Sequence, residues 1–420
     1  MNSADATPRS RTWLWLISGI LFLATFVNYA NRVAVTQNSL EIKASLQTDQ
    51  EGYGRAERNF SYGFAIGGLL FGVMADWVSI RWLYPAVVIA WSAAGAASGQ
   101  VSTLEEFGAC RFLLGLFEAG HWPCALRMTQ RTFPPHERTR GNGILQSGAS
   151  AGQVLVPLAL VFIDPWDSSG WRMSCWTMGA MGIPWAILWF CAVREHDVQR
   201  PVIQTDESGA GSSASREIDE LPLWRVFVSR RWCLLLLTVI CINVPWHLIR
   251  VWLPDTLRIE YGYTKEFVDY FTSLYYLSTF AGSLSAGWIV AWLAGRGWNV
   301  HRSRLVTFVG FSLLVACLVP AAYQPRGNLL LGLLLVTACG TLGVAPIYYS
   351  LNQELSGRHQ GKVGGSLSFL LWTILALMQG TVGEWLKVNP SVRPHLFAAV
   401  GALPLVACVA LALFWGRRPA

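Results

Sequence analysis

Apolar runs of about twenty residues recur from one end of this chain to the other. A helix of that length spans the hydrocarbon core of a bilayer. In lipid every backbone N–H and C=O must be satisfied within the spanning element, which leaves few other folds open. On that ruler the sequence predicts spans near 12–36, 59–77, 82–101, 104–127, 140–162, 171–193, 232–254, 266–292, 304–323, 327–352, 363–386 and 395–416. Only 14% of the 420 residues are charged and 53% are hydrophobic, against about a quarter charged in a soluble domain. The fold class expected is therefore an all-α membrane protein of twelve transmembrane helices.

The runs divide six and six. The predicted units are an N-terminal bundle over 1–193, a polar linker over 194–230 and a C-terminal bundle over 231–420. The linker's middle, from Asp206 to Ser215, is rich in glycine and serine, a composition that packs no core. The run after Arg11 has no small-residue cleavage site behind it and reads as a retained span rather than a leader. Most of the 32 lysines and arginines fall in one alternate set of loops, with the termini and the linker. The positive-inside rule then places both termini in the cytoplasm of an inner-membrane, multi-pass protein.

The net charge of +7 follows from those loops, so nucleic acid is not an expected partner. The nine cysteines form no CxxC pair and no cluster with histidine, so neither a metal site nor a disulfide framework is expected. The sequence carries no nucleophile–base pair and no phosphate loop, which argues against an enzyme, and no cofactor is expected. Three arginines, Arg32, Arg111 and Arg250, lie inside predicted spans. Each must meet an anion, water or a substrate there. Glu118 reads as the sole acidic residue deep in a span. It follows Arg111 by two turns, about 10 Å along one helix face.

Several motifs carry a family resemblance. Gly72, Asp76 and Arg81 stand in the register of the major facilitator signature between helices 2 and 3, with Trp77 and Ser79 departing from it. Asn28-Tyr29-Ala30-Asn31-Arg32 resembles the Asn-Tyr-x-Asp-Arg of the anion:cation symporters. The stretch Arg111, Gly115, Glu118, Ala119 and Pro123 resembles their helix 4 motif. Tyr348-Tyr349 and the run from Gly361 to Gly365 resemble their helix 10–11 passage. The resemblance covers nearly the whole chain and is strongest to hexuronate and aldonate transporters. It implies a major facilitator fold of two six-helix halves, with helices 1, 4, 7 and 10 around a central cavity. It implies a monomer carrying a small anionic carboxylate with protons across the bilayer.

Residue by residue, the expectations are these. Arg32 holds a substrate carboxylate through its fork of donors, or else locks helices in an ion pair. Asn28 shares its helix face, and Tyr29 offers a hydroxyl. The resemblance makes Glu118 the proton carrier, with Arg111 as its partner; a permanent structural pair is the alternative. Asn31 stands where the resemblance has a second titratable aspartate, and asparagine cannot titrate. His121 is either a second titrating site or a hydrogen-bonding helix residue. Arg250 is a second anion contact, a gate beside Trp246 and His247, or an interfacial residue snorkelling to water. Gln146, Tyr348, Tyr349 and Ser368 are candidate hydroxyl contacts, with packing as the plainer reading of the tyrosines. Gly72, Asp76 and Arg81 belong to the conformational motif. The leading function is proton-coupled symport of a sugar acid by alternating access. Proton-independent exchange or efflux, and a transporter-like ligand sensor, are the alternatives.

Overall fold

The computed structural model describes residues 11–132, 135–163, 170–198, 223–353 and 360–415. Residues 199–222, most of the predicted linker, lie outside the described residues. Within them the chain is almost wholly helical, without strands.

Six spans make the first half. They are α1 (Arg11–Gln37), α3 (Gln50–Trp77), α4 (Ile80–Ser98), α5 with α6 (Leu104–Glu118 and His121–Thr132), α7 (Pro135–Ile163) and α8 with α9 (Gly170–Ala180 and Gly182–Ala192). The short α2 (Ser39–Ser45) crosses the first loop, and α10 (Glu195–Val198) leaves the half. After α11 (Leu223–Phe227) the second half follows. Its spans are α12 (Arg230–Ile259), α13 (Lys265–Gly295), α14 with α15 (Val300–Ala316 and Leu318–Ala321), α16 with α17 (Asn328–Gly343 and Ala345–Gln353), α18 (Gln360–Val388) and α19 (Arg393–Phe414).

Eight of these spans are long and apolar enough to cross a membrane on composition alone. The other four are α3, α5–α6, α7 and α13. All four press against a neighbour through glycine, as some of the eight also do. Gly63 and Gly67 of α3 abut the carbonyls of Phe112 and Leu116 on α5, so any side chain there would collide with backbone. Gly148 and Gly152 bring α7 onto Phe22 and Phe26 of α1 in the same way. Close backbone approach of this kind is how helices associate where water supplies no hydrophobic drive.

Four spans are broken, each just before a proline: at Ala119–Gly120 before Pro123, at Met181 before Pro184, at Cys317 before Pro320 and at Val344 before Pro346. Proline lacks the N–H that would bond the carbonyl four residues back, and its ring clashes with that carbonyl. The breaks in spans 4 and 10 occupy matching places in the two halves.

The halves meet along two seams, α3 on α18 and α7 on α13. Polar contacts between them gather at the end that carries α2. Lys43 and Ser39 both bind Asp255 of α12. Arg258 makes a two-pronged bridge to Glu41 at 2.8 and 3.0 Å. Lys265 donates to Asn38 at 2.8 Å, and Lys387 reaches Glu51 at 2.6 Å and Asp49 at 3.2 Å. Tyr53 meets Trp252 edge to face, and Gly54 lies on Gly383 so tightly that a Cβ would sit 2.8 Å from its Cα. The structure is thus closed at the α2 end.

Glu41 gives that closure a pH dependence. Burial raises its pKa, but the Arg258 hydrogen bond and charge, with Lys265, outweigh burial and leave it lowered. A carboxylate with a lowered pKa stabilises the closed end above the ordinary carboxylate range of about 4.3. That contribution is lost as pH falls through the closed-state value. Spin labels at Ala44→Cys and Val388→Cys should therefore report a growing share of long distances below about pH 4.5. Glu41→Gln should show the same share at neutral pH. A distance distribution indifferent to both changes would remove Glu41 from the latch.

Candidate functional site

Midway along the bundle, α1 and α5 bring a guanidinium and a carboxylate together out of water. Arg32 Nε donates to Glu118 Oε2 at 2.6 Å, and the two residues are 3% and 0% exposed. Arg32 Nη2 donates to Asn28 Oδ1 at 3.1 Å, one turn back on α1. Asn28 Nδ2 in turn donates to the backbone carbonyl of Glu118 at 3.4 Å. Glu118 is the last residue of α5, immediately before the Ala119–Gly120 break.

Four rings surround the Arg32 guanidinium within 6 Å: Tyr29, Phe60, Phe64 and Trp372. Phe64 and Trp372 stack at 4.1 Å across the seam. Ring faces attract a cation and give it a partly desolvated seat. None of Phe60, Phe64 and Trp372 stood out in the sequence. Their signal was the recurrence of aromatics inside apolar runs, which reads equally well as packing.

The expected pairing of Glu118 with Arg111 is not what the structure shows. Arg111 Nη2 donates to Glu57 Oε1 at 2.5 Å, and both are essentially buried. Its guanidinium lies 4.4 Å from the Phe60 ring, so Phe60 stands against both arginines. Glu118 is also not alone as a buried acid. Glu57, Asp255 and Asp269 are each at most 2% exposed. The predicted second span began at residue 59, whereas α3 begins at Gln50. The first turns of α3 are too polar for a hydropathy ruler, yet they are covered by α5 and the second half.

Arg250 does not snorkel. It is 4% exposed, because α12 continues to Ile259 instead of ending near 254. Its Nε and Nη1 are buried without hydrogen-bond partners among the described residues. Glu57, Arg32 and Arg111 lie within its electrostatic reach, as does Tyr276. Three arginines thus share two glutamates, leaving one uncompensated positive charge among these five side chains. Burying such a charge is costly unless an anion answers it.

The remaining candidates take varied places. His121 is locked between Thr25 Oγ1 at 3.0 Å and Tyr84 OH at 2.9 Å, with no contact to the Glu118 carboxylate. Asn31 donates to Val27 O at 3.0 Å, and its amide lies against Gly95 of α4, away from Glu118. Tyr348 is buried, while Tyr349 is half-exposed and within electrostatic reach of Tyr29 across the halves. Ser368 is half-buried on α18. The side chains of Gln146 and Asp76 lie outside the described residues. Gly72 meets open space, and Arg81 lies over Trp82 while its carbonyl accepts from Trp189. A small hollow lined by Leu253, Phe397 and Arg393 lies off this site and includes none of the three clustered arginines.

Residues 21–379 match the model of the Major Facilitator Superfamily. The chain belongs to that superfamily. It is 23% identical to a D-galactonate transporter of Escherichia coli O6:H1, over 96% of this chain and 97% of the relative. It is 24% identical to a hexuronate transporter of Bacillus subtilis, over 85% and 84%. Among solved structures, a D-xylose–proton symporter superposes with a TM-score of 0.74 at 14% identity, covering 97% of this chain and 98% of that one. A bacterial homologue of the human lysosomal transporter Spinster does so at 0.74 and 15%, covering 98% and 100%. These structures share the fold. The protein is a multi-pass membrane transporter and not an enzyme, and the named relatives belong to the sugar-acid branch toward which the motifs pointed.

Proposed function

We propose that the protein takes up a sugar-acid monoanion together with protons, by alternating access of its two halves. The observation that carries this reading is the buried Arg32–Glu118 pair beside the surplus charge of Arg250. Arg32 has one fork of donors and two claimants, Glu118 and a substrate carboxylate. A proton on Glu118 removes the first claimant. The freed guanidinium then binds the substrate with two parallel hydrogen bonds. A deprotonated Glu118 competes for the same donors, so proton and substrate favour each other's binding, and this reciprocity is the linkage a symporter needs.

The sugar hydroxyls would meet Tyr29 and Asn28 from the first half and Tyr348, Tyr349 and Ser368 from the second; Gln146 is a further candidate from the sequence alone. Arg250 supplies the field that draws the anion inward. The sugar-acid class rests on the relatives' names and on the single surplus charge, which suits a monoanion. The basic loops orient the protein in the inner membrane with both termini cytoplasmic, so the closed α2 end faces outward.

Uptake into proteoliposomes tests the reading, with labelled glucuronate, galacturonate, gluconate and galactonate, each with and without an inward proton gradient. Accumulation of one acid only with the gradient is the expected result. Equilibration without accumulation would make the protein a facilitator or exchanger, as the neutral Asn31 also suggests. No flux of any of the four acids would remove this substrate class.

A further inference from the structure

The Arg111–Glu57 pair is the part of the cluster that the mechanism above leaves unused. Glu57 lies on a stripe of α3 with Tyr53, Phe60 and Phe64, spaced four, three and seven residues from it, which is one helix face. That face forms the seam with the second half. Tyr53 packs on Trp252, and Phe60 and Phe64 pack on Trp372. Glu57 therefore sits between Arg111 of its own half, which bonds it, and Arg250 of the other half, which approaches without bonding it.

The groups facing Glu57 can be taken element by element. Arg111 comes from α5 and Arg250 from α12; Tyr53 lies one turn away on α3, and the Lys43–Asp255 pair lies beyond Tyr53 toward the closed end. From α18 the neutral Gln379 and Trp372 meet α3. Arg32 of α1 stands on the same Phe60 ring. Asn31 is neutral, so Glu57 is the one carboxylate besides Glu118 among the described residues of this cluster.

We propose that Glu57 is a second proton-carrying group, controlled by the approach of Arg250 as the halves close. The proposal rests on the proton-coupled reading above. When the α2 end opens, α3 and α12 part, Arg250 withdraws and water reaches Glu57. A carboxylate that loses a nearby cation in one state and regains it in another takes up a proton in the first and gives it up in the second. In each cycle Glu57 and Glu118 each bind one proton on the side from which substrate enters and release it on the other. One monoanion and two protons cross, so one net positive charge moves inward. Only O–H bonds form and break.

Electrogenicity is the readout, because a purely structural ion pair would not set it. The probe is whichever of labelled D-galactonate and D-glucuronate the panel shows to be carried, in vesicles clamped with potassium and valinomycin. For one net charge, an inside-negative potential of about 59 mV should raise accumulation about tenfold. In Glu57→Gln that dependence should vanish, while a proton gradient still drives accumulation through Glu118. Exchange of labelled for unlabelled substrate on the same vesicles verifies a folded carrier. If Glu57→Gln fails to insert, Glu57→Gln/Arg111→Gln removes the pair as a unit and leaves neither of its members as a lone buried charge; the same loss of potential dependence is expected. Undiminished potential dependence in the variant, or none in the unmodified protein, overturns the role of Glu57. Absence of proton-driven accumulation in the unmodified protein overturns proton coupling itself.

Discussion

Arg32→Ala is expected to abolish substrate binding and exchange alike. The guanidinium is the one cation of the cluster held against Glu118, Asn28 and four aromatic rings at once. Losing two charge-assisted hydrogen bonds to a carboxylate costs about 3 kcal/mol or more, which weakens binding at least about a hundredfold. The variant also strands Glu118 in a buried site, where it would hold a proton permanently instead of cycling one. Arg32→Lys keeps the charge but not the fork and should bind about tenfold more weakly than the unmodified protein. Calorimetric titration of purified protein with the acid found by the uptake panel measures both. A dissociation constant for Arg32→Ala within threefold of the unmodified protein would show that the substrate sits elsewhere.

Glu118→Gln separates binding from coupling. Glutamine copies the shape of the protonated acid and leaves Arg32 free at every pH. Substrate should bind at least as tightly as before, and the affinity should lose its dependence on pH. Exchange should persist. Accumulation should collapse: each pH unit is worth about 1.4 kcal/mol, so two units across the membrane drive about hundredfold accumulation in a one-proton carrier and essentially none through a group that cannot titrate. Accumulation by the glutamine variant equal to that of the unmodified protein would end the proposed role of Glu118. An intermediate level, driven by the proton gradient and insensitive to membrane potential, is what a remaining proton on Glu57 would leave.

The helices were legible because an apolar run of twenty residues is a one-dimensional signal. Even the four spans that fall short on composition could be placed from the runs around them. Their ends could not. α3 starts nine residues before its predicted edge and α12 runs five residues past it. In both cases the extra turns hold charges, among them Glu57 and Asp255, that are buried by the opposite half. Hydropathy judges such turns as if water surrounded them. The miss of Glu57 follows directly, as does the interfacial alternative that the sequence left open for Arg250.

By itself the sequence determined that this chain lives in a membrane, how many times it crosses, which superfamily it belongs to, and that three arginines and Glu118 must sit where charge is expensive. A charge within an apolar run is visible without any knowledge of neighbours. Only the tertiary structure decided which charges meet. Arg111 and Glu118 share a helix face, but two turns of rise, about 10 Å, exceed what their side chains bridge along one helix. Adjacent helices pack with axes about 8–10 Å apart and side chains interleaved, so each residue finds its partner sideways. Arg111 reaches Glu57 on α3, Glu118 reaches Arg32 on α1, and Arg250 keeps Nε and Nη1 without a hydrogen-bond partner among the described residues.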